Sequence, residues 1–213
     1  MLLNRFDNRE FDRGRPSWVE GLWLVVQALL LDCWLPGSAH RALLLRLFGA
    51  KLGNGVVFKP RLRVKFPWRL QIGDHVWLGE GVWIDNLDTV IIGNHVCVSQ
   101  GAYFCTGSHD MNADAFDLEV KPIRLADHVW ICARATVGPG VTVGEGAILA
   151  LGGVATRDLL PWCVYGGVPA RPIANRSDPR LRQRCQRQSL APVSPDLAHV
   201  GSGQVLGGAD KCR

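Results

Sequence analysis

From residue 52 onward an aliphatic side chain recurs every six positions. The anchors are Leu52, Phe58 and Val64; Ile72, Leu78 and Ile84; Ile92, Val98 and Phe104; Leu125, Ile131 and Val137; Val143, Leu149 and Ala155. Four residues after an anchor a small or β-branched residue is common, as at Val76, Val96, Ala102, Val129, Ala135 and Ala147. Two positions per hexapeptide therefore point inward. A period of six is neither a helix nor simple strand alternation, and it predicts a parallel β-helix.

The spacing also predicts the shape of a coil. After Val64 and after Ile84 the step is eight residues, so the early triplets repeat every 20 residues, whereas the last two repeat every 18. Three short faces close one triangular turn, giving an all-β solenoid of about five coils. Gly73, Gly79, Gly93, Gly138 and Gly144 each follow an anchor. They are expected to serve corners that need positive φ. One interval breaks the rhythm: Phe104 and Leu125 are 21 residues apart. That predicts a loop thrown out from the third coil, and a long loop in a regular solenoid usually carries function.

Before the solenoid the pattern changes to a helical one. Residues 1–16 read as polar and extended. Ser17-x-x-Glu20 has the form of a capping box ahead of an apolar run, so a helix is expected from Ser17 to about Pro36-Gly37. A second is expected from Ala39 to Phe48, with Gly49 as its C-cap. Leu22, Trp23, Val26, Leu29 and Leu30 recur at helical spacing. They suit a helix packed on its own domain or on a neighbouring subunit; the alternative is a helix lying in a membrane interface. Beyond Arg176 the chain is rich in Ser, Gly, Pro and Arg and reads as a disordered tail. The expected organisation is an N-terminal helical segment (1–50), the β-helix (51–176) and the tail (177–213).

Composition narrows the setting. The 213 residues carry a net charge of +5. Residues 33–73 hold eight bases and no acid. No aromatic–basic recognition motif accompanies them, so nucleic acid is not the expected partner; a membrane surface or an anionic substrate fits better. The seven cysteines contain no CxxC pair, which argues against a secreted disulfide scaffold or a cysteine zinc site. The N-terminus lacks the apolar core of a signal peptide, and the run Leu22–Leu31 is too short to span a bilayer. A cytoplasmic location is expected, with the inner face of the membrane as its refinement.

Particular motifs add a resemblance. FGAKLG (48–53), FPW (66–68), IGDHVWLGEGVWIDN (72–86), IIGNHVCVSQGAYFCTGSHD (91–110), KPI (121–123), VGPGVTVGEGAI (137–148) and GGVPAR (166–171) are similar to those of the hexapeptide-repeat O-acetyltransferases. The chain resembles above all the colanic acid biosynthesis type, within the wider group of maltose, galactoside and nodulation acetyltransferases. The resemblance spans roughly residues 1–176 and implies a left-handed β-helix, acetyl-CoA as co-substrate, a sugar or lipid-linked sugar acceptor, and a homotrimer. It makes the loop histidine, His109, the catalytic base. Acetyl transfer to an alcohol needs a group to take the alcohol's proton, and imidazole suits that task near neutral pH.

Residues one coil apart lie about 4.8 Å from each other, so Asp85 should flank Cys105 and Asn86 should flank Thr106 at the loop's root. Both are candidates for orienting the acceptor or the imidazole. Glu80 falls where the maltose and galactoside enzymes carry a substrate-binding Asn. The resemblance further implies that Trp130 lies near the thioester and that Arg171 meets a coenzyme A phosphate. Ala133 and Thr156 correspond to pantetheine contacts, with Cys132 and Leu151 in place of smaller residues. Two rival readings are carried forward. His75, His95 and His128 stack in one register, which raises a γ-carbonic-anhydrase-like metal site, although their shared face suits an outward structural ladder better and no metal is expected. The other rival is a β-helix scaffold without catalysis.

Overall fold

In a computed structural model the chain is described from residue 2 to residue 178. Residues up to Arg176 form one compact unit. The sequence-predicted tail, apart from Ser177 and Asp178, lies outside the described residues, as do Cys185 and Cys212.

Three parallel sheets form the faces of a prism. Face A stacks Lys51–Leu52, Leu70–Ile72, Val90–Ile92, Ile123–Leu125 and Thr142–Val143. Face B runs from Val57–Phe58 through Trp77–Leu78, Cys97–Val98, Trp130–Ile131 and Ile148–Leu149 to Cys163–Gly166. Face C stacks Arg63–Val64, Trp83–Asp85, Tyr103–Cys105, Thr136–Val137 and Val154–Ala155. Every anchor except Leu52 is buried, and the inward Val and Ala positions from Val76 to Ala147 fill the axis. The coils number five complete turns and part of a sixth: Leu159 bridges to Val143, and Cys163–Gly166 pairs with Ile148–Leu149. The strand Arg171–Asn175 then folds back antiparallel on Cys163–Gly166.

The anchor-following glycines serve a different purpose from the one expected. None of Gly73, Gly79, Gly93, Gly138 or Gly144 has positive φ. They are small because the next coil passes too close. A Cβ on Gly93 would lie 2.4 Å from Asp127 Oδ1 and 2.9 Å from the backbone of Ala126. The left-handed backbone falls two residues later, on Gly81 and Gly140 at the other two corners and on Gly55, His75, His95, His128 and Gly146 at the corner between faces A and B. The histidine ladder thus occupies the strained corner position. Its rings stack with centroids 5.2 and 5.3 Å apart. Beside it Asp74, Asn94 and Asp127 each accept the backbone N–H of the residue one coil below, at 2.7 to 2.8 Å.

The first coil would expose three strand edges, which invite pairing with other chains. The helical segment covers all three. Helix α1 is Ser17–Val26, continued by a π-helical turn, Gln27–Leu31, and helix α2 is Ala39–Leu47. Trp23 Nε1 donates to the Val64 carbonyl at 2.8 Å, and Gln27 Oε1 accepts the Val64 N–H. Ser38 Oγ accepts the Phe58 N–H, and Arg46 donates to the Leu52 and Gly53 carbonyls. Arg41 is fully buried, and its guanidinium donates to the carbonyls of Leu31, Gly37 and Cys33. Trp23, Leu31 and Leu45 join the solenoid's core.

The predicted capping box does not form. Pro16 takes the N-cap place, Ser17 is the first helical residue, and no side chain caps the end. Glu20 instead pairs with Arg13 at 2.9 Å. Gly49 does follow α2 with positive φ, as a C-cap glycine should. Among the described residues no helix is long and apolar enough to cross a membrane.

Candidate active site

The interval from Phe104 to Leu125 is a β-hairpin rather than an irregular loop. Gly107–His109 pairs antiparallel with Leu118–Val120, and His109 sits opposite Leu118. The hairpin leaves the corner between faces C and A. Its root is fixed by Thr106, which is fully buried; Thr106 Oγ1 donates to the Asp85 carbonyl and accepts the Asp88 N–H.

The imidazole of His109 is held on three sides. Nδ1 lies 2.8 Å from the Phe116 carbonyl oxygen. A carbonyl only accepts, so Nδ1 carries the proton and the Nε2 lone pair is left to accept another. The Phe116 ring stacks on the imidazole, with centroids 4.0 Å apart and planes within 4°. Phe116 has φ of +56°, a strained conformation for an aromatic residue that aims its carbonyl at the ring. Phe6 contacts the ring edge-on at 5.5 Å. Residues 2–11, expected to be extended, thus form part of the site's frame: Leu3–Arg5 is a 3-10 turn, and the Leu2 N–H donates to Asp114 in the hairpin. Neither Phe116 nor Phe6 carries a sequence signal for this role, because each makes its contact once and neither holds a position in the hexapeptide pattern.

Asp85 pairs in register with Cys105, as the spacing predicts. Its Oδ2 accepts the Tyr103 hydroxyl at 3.2 Å. Burial pushes the Tyr103 phenol well above its ordinary pKa, and Cys105 and Asp85 push the same way, so it stays a protonated donor. Tyr103 packs on Trp83 with centroids 4.6 Å apart, and the Arg63 guanidinium lies 4.3 Å from the Trp83 ring centre. Arg63, Lys65, Trp83, Asp85 and Glu20 line a cleft of about 290 Å³.

Asn86 takes a different part from the one expected. It is fully buried, its Oδ1 accepts the Phe66 N–H and its Nδ2 donates to the Phe66 carbonyl. Both ends of the amide hold the chain one coil below, so the structure gives it a supporting role at the hairpin's root.

The other candidates gather elsewhere. Backbone bonds stack Pro60, Glu80, Gln100, Ala133 and Leu151 in one column at the corner between faces B and C. Glu80 therefore shares a corner with Ala133 and Leu151 and not with His109; its carboxylate faces Arg61 at 3.9 Å. Trp130 projects from the adjoining face B, half exposed, with Nε1 donating to Ser99 Oγ at 2.9 Å. Burial, with Cys97 adjacent, pushes the Cys132 thiol up, so no thiolate nucleophile sits there. Leu151 and Arg171 are exposed. Thr156 follows Val154–Ala155, beside the segment whose Gly167 and Ala170 bond to Val154. Among the described residues no cluster of His, Cys, Asp and Glu is arranged to hold a metal ion.

Comparison with known proteins adds a name to this architecture. The protein named colanic acid biosynthesis acetyltransferase WcaF, from Escherichia coli (strain K12), is 38% identical over 166 residues, which cover 77% of this chain and 91% of WcaF. The chain belongs to the hexapeptide-repeat acetyltransferases. Galactoside O-acetyltransferase of E. coli is 25% identical over 79% of the chain and 75% of its own length. Among solved structures, the hexapeptide-repeat acetyltransferase VCA0836 of Vibrio cholerae, complexed with acetyl coenzyme A, superposes with a TM-score of 0.69. It is 28% identical, and the match covers 81% of this chain and 93% of that one. No family model matches the chain. The fold is accordingly the left-handed parallel β-helix of this family.

Proposed function

We propose that the protein transfers acetyl from acetyl-CoA to a sugar hydroxyl, in the assembly of an exopolysaccharide of the colanic acid kind. The observation that carries this reading is the His109 tautomer. With Nδ1–H donated to Phe116, Nε2 accepts the acceptor's proton as its oxygen attacks the thioester carbonyl. The C–S bond then breaks, the coenzyme A sulfur leaves, and the imidazolium returns the proton to it. An ester and free coenzyme A result, with no covalent enzyme intermediate. VCA0836 supports the choice of donor, and WcaF with galactoside O-acetyltransferase supports the choice of acceptor class.

The cleft at the hairpin's root supports the sugar reading too. Asp85 and Lys65 offer an acceptor and a donor for hydroxyls beside the Trp83 indole. On the donor side, Trp130, Ala133, Leu151, Thr156 and Arg171 are the residues proposed to meet coenzyme A, with Arg171 on a phosphate. Glu80, in the same column as Ala133, is proposed to meet the sugar acceptor rather than the coenzyme. His109 and this set occupy different corners of one chain. A ring of copies, in which one chain's hairpin faces its neighbour's B–C corner, would unite them, and the family resemblance supports a trimer.

The test is coenzyme A release from acetyl-CoA with a panel of sugars and lipid-linked oligosaccharides, wild type beside His109→Ala. Acceptor-dependent release in the wild type alone is the expected result. Equal release by the variant overturns the assignment of the base. Failure to bind acetyl-CoA in calorimetry overturns the transferase reading in favour of a scaffold.

A further inference from the structure

The helical cap has an outer surface that the solenoid does not use. Its inner side holds Trp23, Leu31, Leu45 and the polar groups that close the first coil. Its outer side exposes Trp18 (70%), Leu29 (68%), Trp34 (77%) and Leu47 (71%), with Leu22, Leu30, Leu35 and Leu43 between them. Two clefts of about 460 and 400 Å³ open on this side; the first adjoins Trp18 and Leu47, the second Leu29 and Trp34. Water-exposed apolar area of this extent on a folded chain marks a contact surface.

The charge around it says what makes the contact. Arg15 lines the first cleft, Arg46 is in the last turn of α2, and Lys51 and Lys59 lie in the first coil; all four are exposed. Between residues 21 and 73 Asp32 is the one acid against eight bases, of which Arg41 is buried. A second copy meeting this end head-on would place the basic rim against itself. A bilayer with anionic headgroups complements it. Exposed indoles beside leucines and flanked by Arg and Lys are the composition of an interfacial anchor.

We propose that the outer face of the N-terminal cap lies on the surface of an anionic lipid bilayer, with Trp18, Leu29, Trp34 and Leu47 entering the headgroup region. The inference stands apart from the acetyl-transfer reading. With the coils stacked along the bilayer normal, helix diameter plus two coil spacings puts the hairpin roughly 20 Å from the surface.

Flotation of the full chain with phosphatidylcholine vesicles, with or without phosphatidylglycerol, tests it. The wild type is expected to float with anionic vesicles, less so as salt rises. The variant Trp18→Ser/Leu29→Ser/Trp34→Ser should bind about tenfold more weakly or worse. Lys51→Glu/Lys59→Glu should lose the preference for anionic lipid. Circular dichroism and coenzyme A release with a soluble acceptor should stay unchanged in both. No flotation of the wild type, or equal flotation of the variants, overturns the proposal. A serine variant that dissociates into smaller species in sedimentation while floating as before assigns the face to a second copy and overturns it as well.

Discussion

Two corners of the prism carry histidines, and they differ in kind. At the A–B corner histidine occurs three times at one register position, always with left-handed backbone, ring stacked on ring. At the C–A corner it occurs once, outside the repeat, on a hairpin with Nδ1 pinned to a carbonyl. A repeated residue answers a need that every coil has. A residue that breaks the repeat answers a need that only one coil has. In a solenoid the departures from period, not the commonest reactive side chains, point to chemistry.

The sharpest way to break this comparison is to exchange the effects. Removing a positioned base should lower kcat by roughly 10²–10⁴-fold, so His109→Ala is expected to do this with its thermal midpoint and acetyl-CoA affinity unchanged. A similar loss from His95→Ala would erase the distinction between the corners. The coil-to-coil approach is tested next. At Gly93 an added methyl meets Asp127 and the Ala126 backbone, and overpacking of this kind typically destabilises by about 1–3 kcal/mol. Gly93→Ala should therefore melt earlier while retaining its turnover per folded molecule.

The solenoid was legible because each inward position is repeated, so the anchors vote together on period and register. Face assignment, the pairing of Asp85 with Cys105 and the site of the insertion all followed. What escaped were contacts made once. Arg41 reads as one more surface base in a basic run, yet it is buried on three carbonyls. Asn86 reads as a site residue because it adjoins the loop, yet its amide holds Phe66. The glycines were found but misread, because proximity between coils and positive φ both select Gly, and local sequence does not separate them. The Ser17 box failed on its neighbour: Pro16 already sets the helix entry.

A smaller effect separates strain from ring stacking at the histidine corner. Left-handed backbone costs a β-branched residue about 1–2 kcal/mol more than Gly. His95→Val should accordingly be less stable than His95→Gly by about that amount in urea titration, with turnover unchanged in both. Equal stability would mean that the stack with His75 and His128, lost in both variants, and not the +55° φ of His95, governs the corner.

The smallest effect concerns the carboxylate that braces the same corner. Asp127 lies below its ordinary pKa chiefly because it accepts the Asn94 backbone N–H; the Asn94 side-chain amide, His128 and His95 add to this, while burial opposes it. The folded protein therefore prefers the ionised form more than the unfolded chain does. The stabilisation is full above the unfolded carboxyl's value near 4, and it fades as pH falls through the lower folded value. Asp127→Asn keeps an oxygen to accept the bond, as Asn94 does for Asp74 one coil below, but removes the proton equilibrium. Its thermal midpoint should fall less steeply than the wild type's on acidification from about pH 5 to pH 3, with a difference at neutral pH of no more than about 1 kcal/mol. Parallel acid limbs would mean that the oxygen, and not its charge, braces the coil.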